Sequence, residues 1–287
     1  GCSLNIPLED QFSDPDAITD VLSARSLLAS AYKAMPQQIF QLSVLSDDFC
    51  PSQHLNKDMS LQGLYNWREV EMTELAGTLW AGYYAVIAEV NALLARIDAV
   101  VTLDETEKLE KMRIVCEAKA LKSWCYFDLL RLFAPRYEGN ENKDGIILKK
   151  RVELDFLPRS SVKECVTEIR TLLNEARNVD NTQKNVYWLS DKAVAYLQVE
   201  LELYAGNYPA VLELTKDLET EYPESVLGAD VYKYLWSSEN SDARIFGKYQ
   251  LEQIYMDIRF DTFEKGDYLV LSQNVDYEEE DIRKEWS

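Results

Sequence analysis

Six stretches of this chain repeat their apolar residues every three to four positions, and that period is the strongest constraint on its fold. In the first, Ile18, Val21, Leu22, Leu27, Leu28, Ala31 and Tyr32 form one stripe. Pro15 suits its first turn, behind Ser13 or Asp14 as cap, and Pro36 ends it. The second runs from about Glu71 to Ile97, with Trp80, Tyr84, Ile87, Asn91 and Leu94 in line and Tyr83, Val90 and Ile97 beside them. Asn91 thus points into an apolar stripe, where a buried amide must find backbone partners at a helix junction. The third runs from about Asp104 to Phe133, where Pro135 stops it. The fourth opens with the capping box Ser161-x-x-Glu164 and continues through Val162, Cys165, Val166, Ile169, Leu172, Leu173 and Ala176.

The last two stretches, about Asp191 to Tyr204 and Tyr208 to Glu221, are joined by Ala205-Gly206-Asn207. Gly206, Tyr208 and Pro223 hold the spacings of the second half of a tetratricopeptide repeat, with Val211 in place of the usual small alanine. The expected fold class is therefore all-α: stacked antiparallel, tetratricopeptide-like helix pairs with a small irregular C-terminal segment. Residues 41–68 show no clear period, and 137–158 read as a loop. Residues 242–250 and 268–271 read as short strands or loops, and the acidic run 276–281 as solvated surface.

Composition removes whole classes of function. Thirty Lys and Arg against fifty Asp and Glu give a net charge of −20, which repels a phosphate backbone and argues against nucleic acid as partner. The single histidine, His54, leaves no multi-histidine metal site. Glycine numbers only ten, and neither GxGxxG nor GxxxxGK[ST] occurs. No apolar run reads as long enough for a membrane span. Of five cysteines, Cys116 and Cys125 sit nine apart on one helix, hence on opposite faces, and cannot pair with each other. Cys165 reads as a small core residue, and Cys50, before Pro51 in a loop, is the one candidate for a reactive thiol. Asn140-x-Asn142-x-Asp144-Gly145 opens like a calcium loop, but Arg151 stands where the bidentate glutamate is needed, so it reads as an ordinary turn. Paired acids such as Asp47-Asp48 carry little information in so acidic a chain. No catalytic residue, metal ligand or cofactor is assigned, and the chain is not expected to be an enzyme.

Seventeen tyrosines and six tryptophans need placing. Helical stripes account for Trp80, Tyr83, Tyr84, Trp124 and Tyr126 as core. Tyr65, Trp67, Tyr187, Trp188 and Trp236 fall in loops, where there is less core to fill. One reading is that these rings cap helix pairs. The other is carbohydrate recognition, in which flat rings stack on pyranose faces while neighbouring Asn, Asp and Arg bond the hydroxyls.

Four blocks, in order, resemble the SusD/RagB family of Bacteroidetes outer-membrane lipoproteins. Trp80-x-x-Tyr83-x-x-x-Ile87 with Asn91 and Leu94 resembles its "W..Y..I..aN.ll" helix. Glu117-Ala118-Lys119-Ala120-Leu121 through Tyr126, Phe127, Leu129, Arg131 and Phe133 resembles its "EAkalRa..yf.L.r.fg" helix. Pro158-Arg159-Ser160-Ser161-Val162 with Ile169 resembles the start of the next, and Ala193 to Tyr204 with Gly206 and Tyr208 its repeat-like pair. Cys2, near the start of the chain, then matches the family's lipidated cysteine, with Gly1 as a remnant of a tag put in place of the signal segment.

The resemblance implies a lipid-anchored, cell-surface binding protein of the outer membrane, membrane-attached only through Cys2. It would capture glycans, or peptides, for a SusC-like TonB-dependent transporter. It divides the chain into a lipid-anchor linker (1–15), a SusD-like helical domain (16–225) and an irregular remnant of the family's longer C-terminal region (226–287). Family ligand contacts before the "W..Y..I" helix map onto residues 47–68 here. That selects Trp67 and Tyr65 as stacking platforms and Asn66, Arg68 and Asp48 as hydrogen-bonding partners. The alternative is a helical-repeat scaffold that binds a protein partner and no small molecule.

Overall fold

The computed structural model describes residues 18–52, 59–152, 156–177, 179–181, 186–222, 244–247, 258–260, 268–270 and 277–281. Cys2, Ser13, Asp14, Pro15, His54, Pro223 and Trp236 lie outside them. Eight α-helices are present among the described residues: α1 (Val21–Lys33), α2 (Ile39–Leu45), α3 (Met59–Tyr65), α4 (Glu69–Arg96), α5 (Glu105–Phe133), α6 (Val162–Ala176), α7 (Asp191–Tyr204) and α8 (Tyr208–Glu221). Three short strands, β1 (Cys50–Pro51), β2 (Ile258–Phe260) and β3 (Tyr268–Val270), form a small sheet in the order β1-β3-β2. β1 runs antiparallel to β3, with Cys50 opposite Leu269, and β2 runs parallel to β3.

The chain forms two compact units. One comprises residues 1–35 and 83–249, the other 36–82 and 250–287. The division expected from sequence instead runs in chain order, with 16–225 as one helical domain. Pairing between residues near 50 and near 268 is nonlocal, and no local period announces it.

In the first unit, α6 packs on α5, α7 on α6 and α8 on α7, with α1 on α5. Local chemistry sets the helix ends. Asp20 and Ser23 form a reciprocal capping box on α1, so that helix begins after Asp20 rather than near Pro15, and Leu22 on its first turn is exposed. Asp104 caps α5, Ser161 and Glu164 cap each other's backbone on α6, and Ser190 caps α7. Gly206, at φ 70°, closes α7: the Asn207 N–H donates to Glu202 O at 2.8 Å and the Gly206 N–H to Leu203 O at 3.1 Å. That pair of bonds is a Schellman motif, whose left-handed residue favours glycine.

α5 is covered on more than one face. From Ile114 to Leu130 its buried residues include Cys116 and Cys125 on opposite sides, one toward Glu175 O and the other 3.3 Å from Met35 Sδ. Two polar hubs tie it to its neighbours. The fully buried Glu117 carboxylate accepts from Arg25 at 3.0 Å, Tyr32 Oη at 3.1 Å and Asn181 Nδ2 at 3.4 Å. One turn on, the Lys122 ammonium donates to Asn91 Oδ1 at 2.6 Å, while Asn91 Nδ2 and Tyr126 Oη both donate to Lys149 O, at 2.9 and 2.6 Å. Tyr84 Oη donates to Ile147 O and accepts from the Ile147 N–H, so residues 146–150 are strapped to α4 and α5. Asn91 is buried and bonded to backbone, the environment its place in the stripe demanded.

A third polar contact joins α6 to α7. Arg170 grips the buried Glu202 with two nitrogens, at 2.5 and 3.0 Å, and Asn207 Nδ2 adds a bond at 2.8 Å. Gly145 sits where an added Cβ would lie 2.8 Å from Cys165 Sγ, so the turn before α6 needs glycine for close approach rather than for calcium. Residues 69–99 prove long and apolar enough by composition to cross a membrane, contrary to the sequence reading. Here they supply core: Tyr83, Val86, Ile87, Val90, Leu93 and Ile97 are buried.

Candidate functional site

The segment expected to bind ligand lies in the second unit and has more local structure than its sequence suggested. Residues without a clear period form α2 and α3, seven residues each. Both helices close with the same pair of backbone bonds. After α2, the Asp48 N–H donates to Ser43 O at 2.9 Å and the Asp47 N–H to Val44 O at 3.3 Å. After α3, the Arg68 N–H donates to Gly63 O at 2.8 Å and the Trp67 N–H to Leu64 O at 3.0 Å. These are again Schellman motifs, but their left-handed positions hold Asp47 (φ 66°) and Trp67 (φ 53°). Aspartate tolerates that conformation, whereas a bulky side chain there is an outlier. For tryptophan the cost is roughly 1–2 kcal/mol.

The five expected residues divide by what their side chains already do. Trp67 is 64% exposed at the α3–α4 corner. Arg68, also exposed, has its guanidinium 3.9 Å from Glu71, and Gly63 leaves room for that glutamate against α3. Asn66 donates from Nδ2 to Gln62 O at 2.8 Å, so its amide helps close α3. Tyr65 is half-buried, with its phenol close to the Cys50 thiol. The neighbouring thiol, then burial and the negative charge of Asp47, push its pKa up to about 12. Tyr65 therefore ties α3 to β1, and Cys50 is a structural partner as well as a thiol. The Asp48 carboxylate accepts from Ser46 Oγ at 3.0 Å and is exposed. Trp67, Arg68 and Asn66 share one corner, Asp48 closes a different helix, and Asp47 comes close enough to act on Tyr65. Sequence reasoning chose Asp48 and passed over Asp47. Only the backbone conformation distinguishes the two.

The remaining loop aromatics of known position have other work. Trp188 packs edge-on against Tyr32, ring centroids 5.2 Å apart, with the Arg25 guanidinium 4.7 Å above its ring. It braces α1. Tyr187 lines a cavity in the first unit. Of the aromatics read as core, Tyr83 and Tyr126 are buried, whereas Trp80, Tyr84 and Trp124 are only half-buried.

Comparison with known proteins places this arrangement. A search of curated proteins finds no match. Among solved structures, a SusD superfamily protein from Bacteroides vulgatus superposes with a TM-score of 0.66 at 20% identity, over 79% of this chain and 54% of its own. A SusD-like carbohydrate binding protein from the same organism gives 0.65 at 16% identity, over 80% of this chain and 50% of its own. A laminarin binding SusD-like protein gives 0.53 at 19% identity, over 72% and 45%. The chain thus spans about half the length of these structures, which share its fold. The SusD-like family profile described as "Starch-binding associating with outer membrane" matches residues 8–200. With the helical stack and the ordered blocks in agreement, the chain belongs to the SusD-like family, whose members are binding proteins associated with the outer membrane.

Proposed function

We propose that this protein captures a glycan at the α3–α4 corner and passes it to a SusC-like TonB-dependent transporter. The observation that carries the reading is Trp67. A large apolar ring is held in solvent by a backbone conformation that favours glycine, and such strain collects at ligand sites. An exposed indole offers an apolar face for a pyranose, the adjacent Arg68 supplies a donor, and Asp48, exposed at the end of α2, is the acceptor this reading adds. Tyr65 and Asn66 serve this reading by holding the corner, with their rings and amides partly committed to the fold. Two relatives described as carbohydrate-binding and laminarin-binding support a glycan over a peptide. Lipid attachment at Cys2 and exposure at the cell surface belong to the same reading and rest on the family resemblance.

The test is isothermal titration of the chain with starch- and laminarin-derived oligosaccharides. Binding is expected for the wild type and lost in Trp67→Gly, which removes the ring while relieving the backbone. Unchanged binding in that variant would remove the corner from the site. Co-purification with a transporter encoded beside it tests the partnership separately.

A further inference from the structure

We infer that the first unit carries a second carbohydrate subsite, in the cavity between α5, α7 and the segment 244–247, suited to one or two uncharged pyranose units. The cavity encloses about 830 Å³, within the range of small-molecule sites. Its rings are Trp124 and Phe127 from α5, Tyr187 from the turn before α7, Tyr196 from α7, and Phe246. The far wall is fixed rather than loosely laid on. The Gly247 N–H donates to Val186 O at 2.7 Å, and Phe246 meets Trp124 edge to face with centroids 5.1 Å apart.

Its polar groups are Arg131, Glu200 and Arg244. Arg131 stacks on Phe127, 4.3 Å from the ring centroid, and is held between Asp128 at 2.5 Å and Glu200 at 3.6 Å. The Tyr196 phenol lies close to the Glu200 carboxylate. Such groups are positioned before a ligand arrives, which lowers the cost of ordering them. Their mixed sign selects the ligand class. An anion entering the cavity meets Glu200, and a cation meets two arginines. A sugar hydroxyl donates to the carboxylate and accepts from the guanidinium, while the apolar ring face rests on the aromatic wall. The two walls and the three charged groups all belong to one compact unit, so this site stands or falls independently of Trp67.

The test labels the full chain with 5-fluorotryptophan and follows the Trp67 and Trp124 fluorine resonances, assigned by single Trp→Phe changes. Maltoheptaose and laminarihexaose are the neutral probes, with trigalacturonic acid and tetralysine as charged ones. A saturable shift of the Trp124 resonance with a neutral probe is expected, undisturbed in Trp67→Gly. Its affinity should fall at least about tenfold in Tyr187→Ala, the loss of one stacked ring. If circular dichroism shows that Tyr187→Ala does not fold, Glu200→Gln decides by the same criterion. The inference is overturned if no neutral probe moves Trp124 up to about 20 mM, beyond the weakest useful affinities. It is equally overturned if only a charged probe moves the resonance, or if the folded variant titrates like the wild type. A response at Trp67 alone leaves the corner site standing and removes this one.

Discussion

The ends of α7 and α3 are the same backbone motif with opposite residue choices. At α7 the left-handed position is Gly206, and beyond its chain neighbours no heavy atom lies within 4 Å of where a Cβ would be built. At α3 the same position is Trp67, at φ 53° with its ring in solvent. Glycine at the first corner serves the fold, since it makes a tight turn without steric cost. Tryptophan at the second carries a conformational cost that no packing of a buried ring offsets. The helical stack places its unusual residues, Glu117, Asn91 and Lys122, inside and bonded to several elements. The 36–82 segment places its unusual residue outside. An exposed ring held at a conformational cost is what the binding role proposed for Trp67 requires.

If that contrast is right, damage to the hubs should be large and thermodynamic, and damage to the corner small but functional. The largest expected loss is Glu117→Ala, which leaves Arg25, Tyr32 and Asn181 without their shared acceptor, at about 3–5 kcal/mol as for breaking a buried ion pair. Chemical denaturation would show it as a lowered midpoint without a changed slope. A loss below about 1 kcal/mol would mean that the hub is dispensable.

Asn91→Leu should cost about 3 kcal/mol, because it strands the Lys122 ammonium as well as one bond to Lys149 O. The melting temperature should fall by roughly 5–10 °C in calorimetry. Oligosaccharide titration at the Trp67 corner should not change.

Lys122 makes a pH prediction. Burial lowers its pKa from 10.5 to about 8, with Glu168 opposing the shift and Lys150 reinforcing it. A lysine whose folded pKa lies below its unfolded value binds fewer protons when folded, so its penalty is complete below about pH 8 and is relieved as pH rises toward 10. Stability should rise by roughly 2 kcal/mol across that window, before tyrosine ionisation intervenes. In Lys122→Met the rise should disappear from the same series of denaturation curves.

The smallest effects are the sharpest test of the comparison, because they differ in sign. Gly206→Ala should destabilise by about 1 kcal/mol, since an added Cβ is strained in the left-handed region. Trp67→Gly should stabilise by about 1 kcal/mol for the same reason. Two thermal melts decide it. If Trp67→Gly is less stable than wild type, the ring contributes packing and the functional reading of the corner loses its support.

Most of the helical frame was legible along the chain. The bounds of α5, α6, α7 and α8 follow from Pro135, the Ser161–Glu164 box and the Gly206 turn, all signals within a few residues of the ends they set. The start of α1 was misplaced because Asp20 with Ser23 caps as well as the earlier candidates do, and proximity to Val21 decided it. α2 and α3 escaped because seven residues make only two turns, too short to show a period. The site was less legible still. Its residues could be gathered by region, but whether Tyr65 offers a platform or serves as a tie to Cys50 depends on a contact fifteen positions away.

The amino-acid order by itself determined the extents of α5 to α8, the capping box of α6, the buried place of Asn91 and the family, because each rests on residues close in sequence or on a pattern repeated along one helix. Only the tertiary structure decided that α5 is enclosed on opposite faces, that residues near 50 pair with residues near 268, and that Trp67 stands in solvent on a left-handed backbone. These are matters of which distant segments meet. A chain's local preferences leave that open until burial and hydrogen bonding choose among the possible packings.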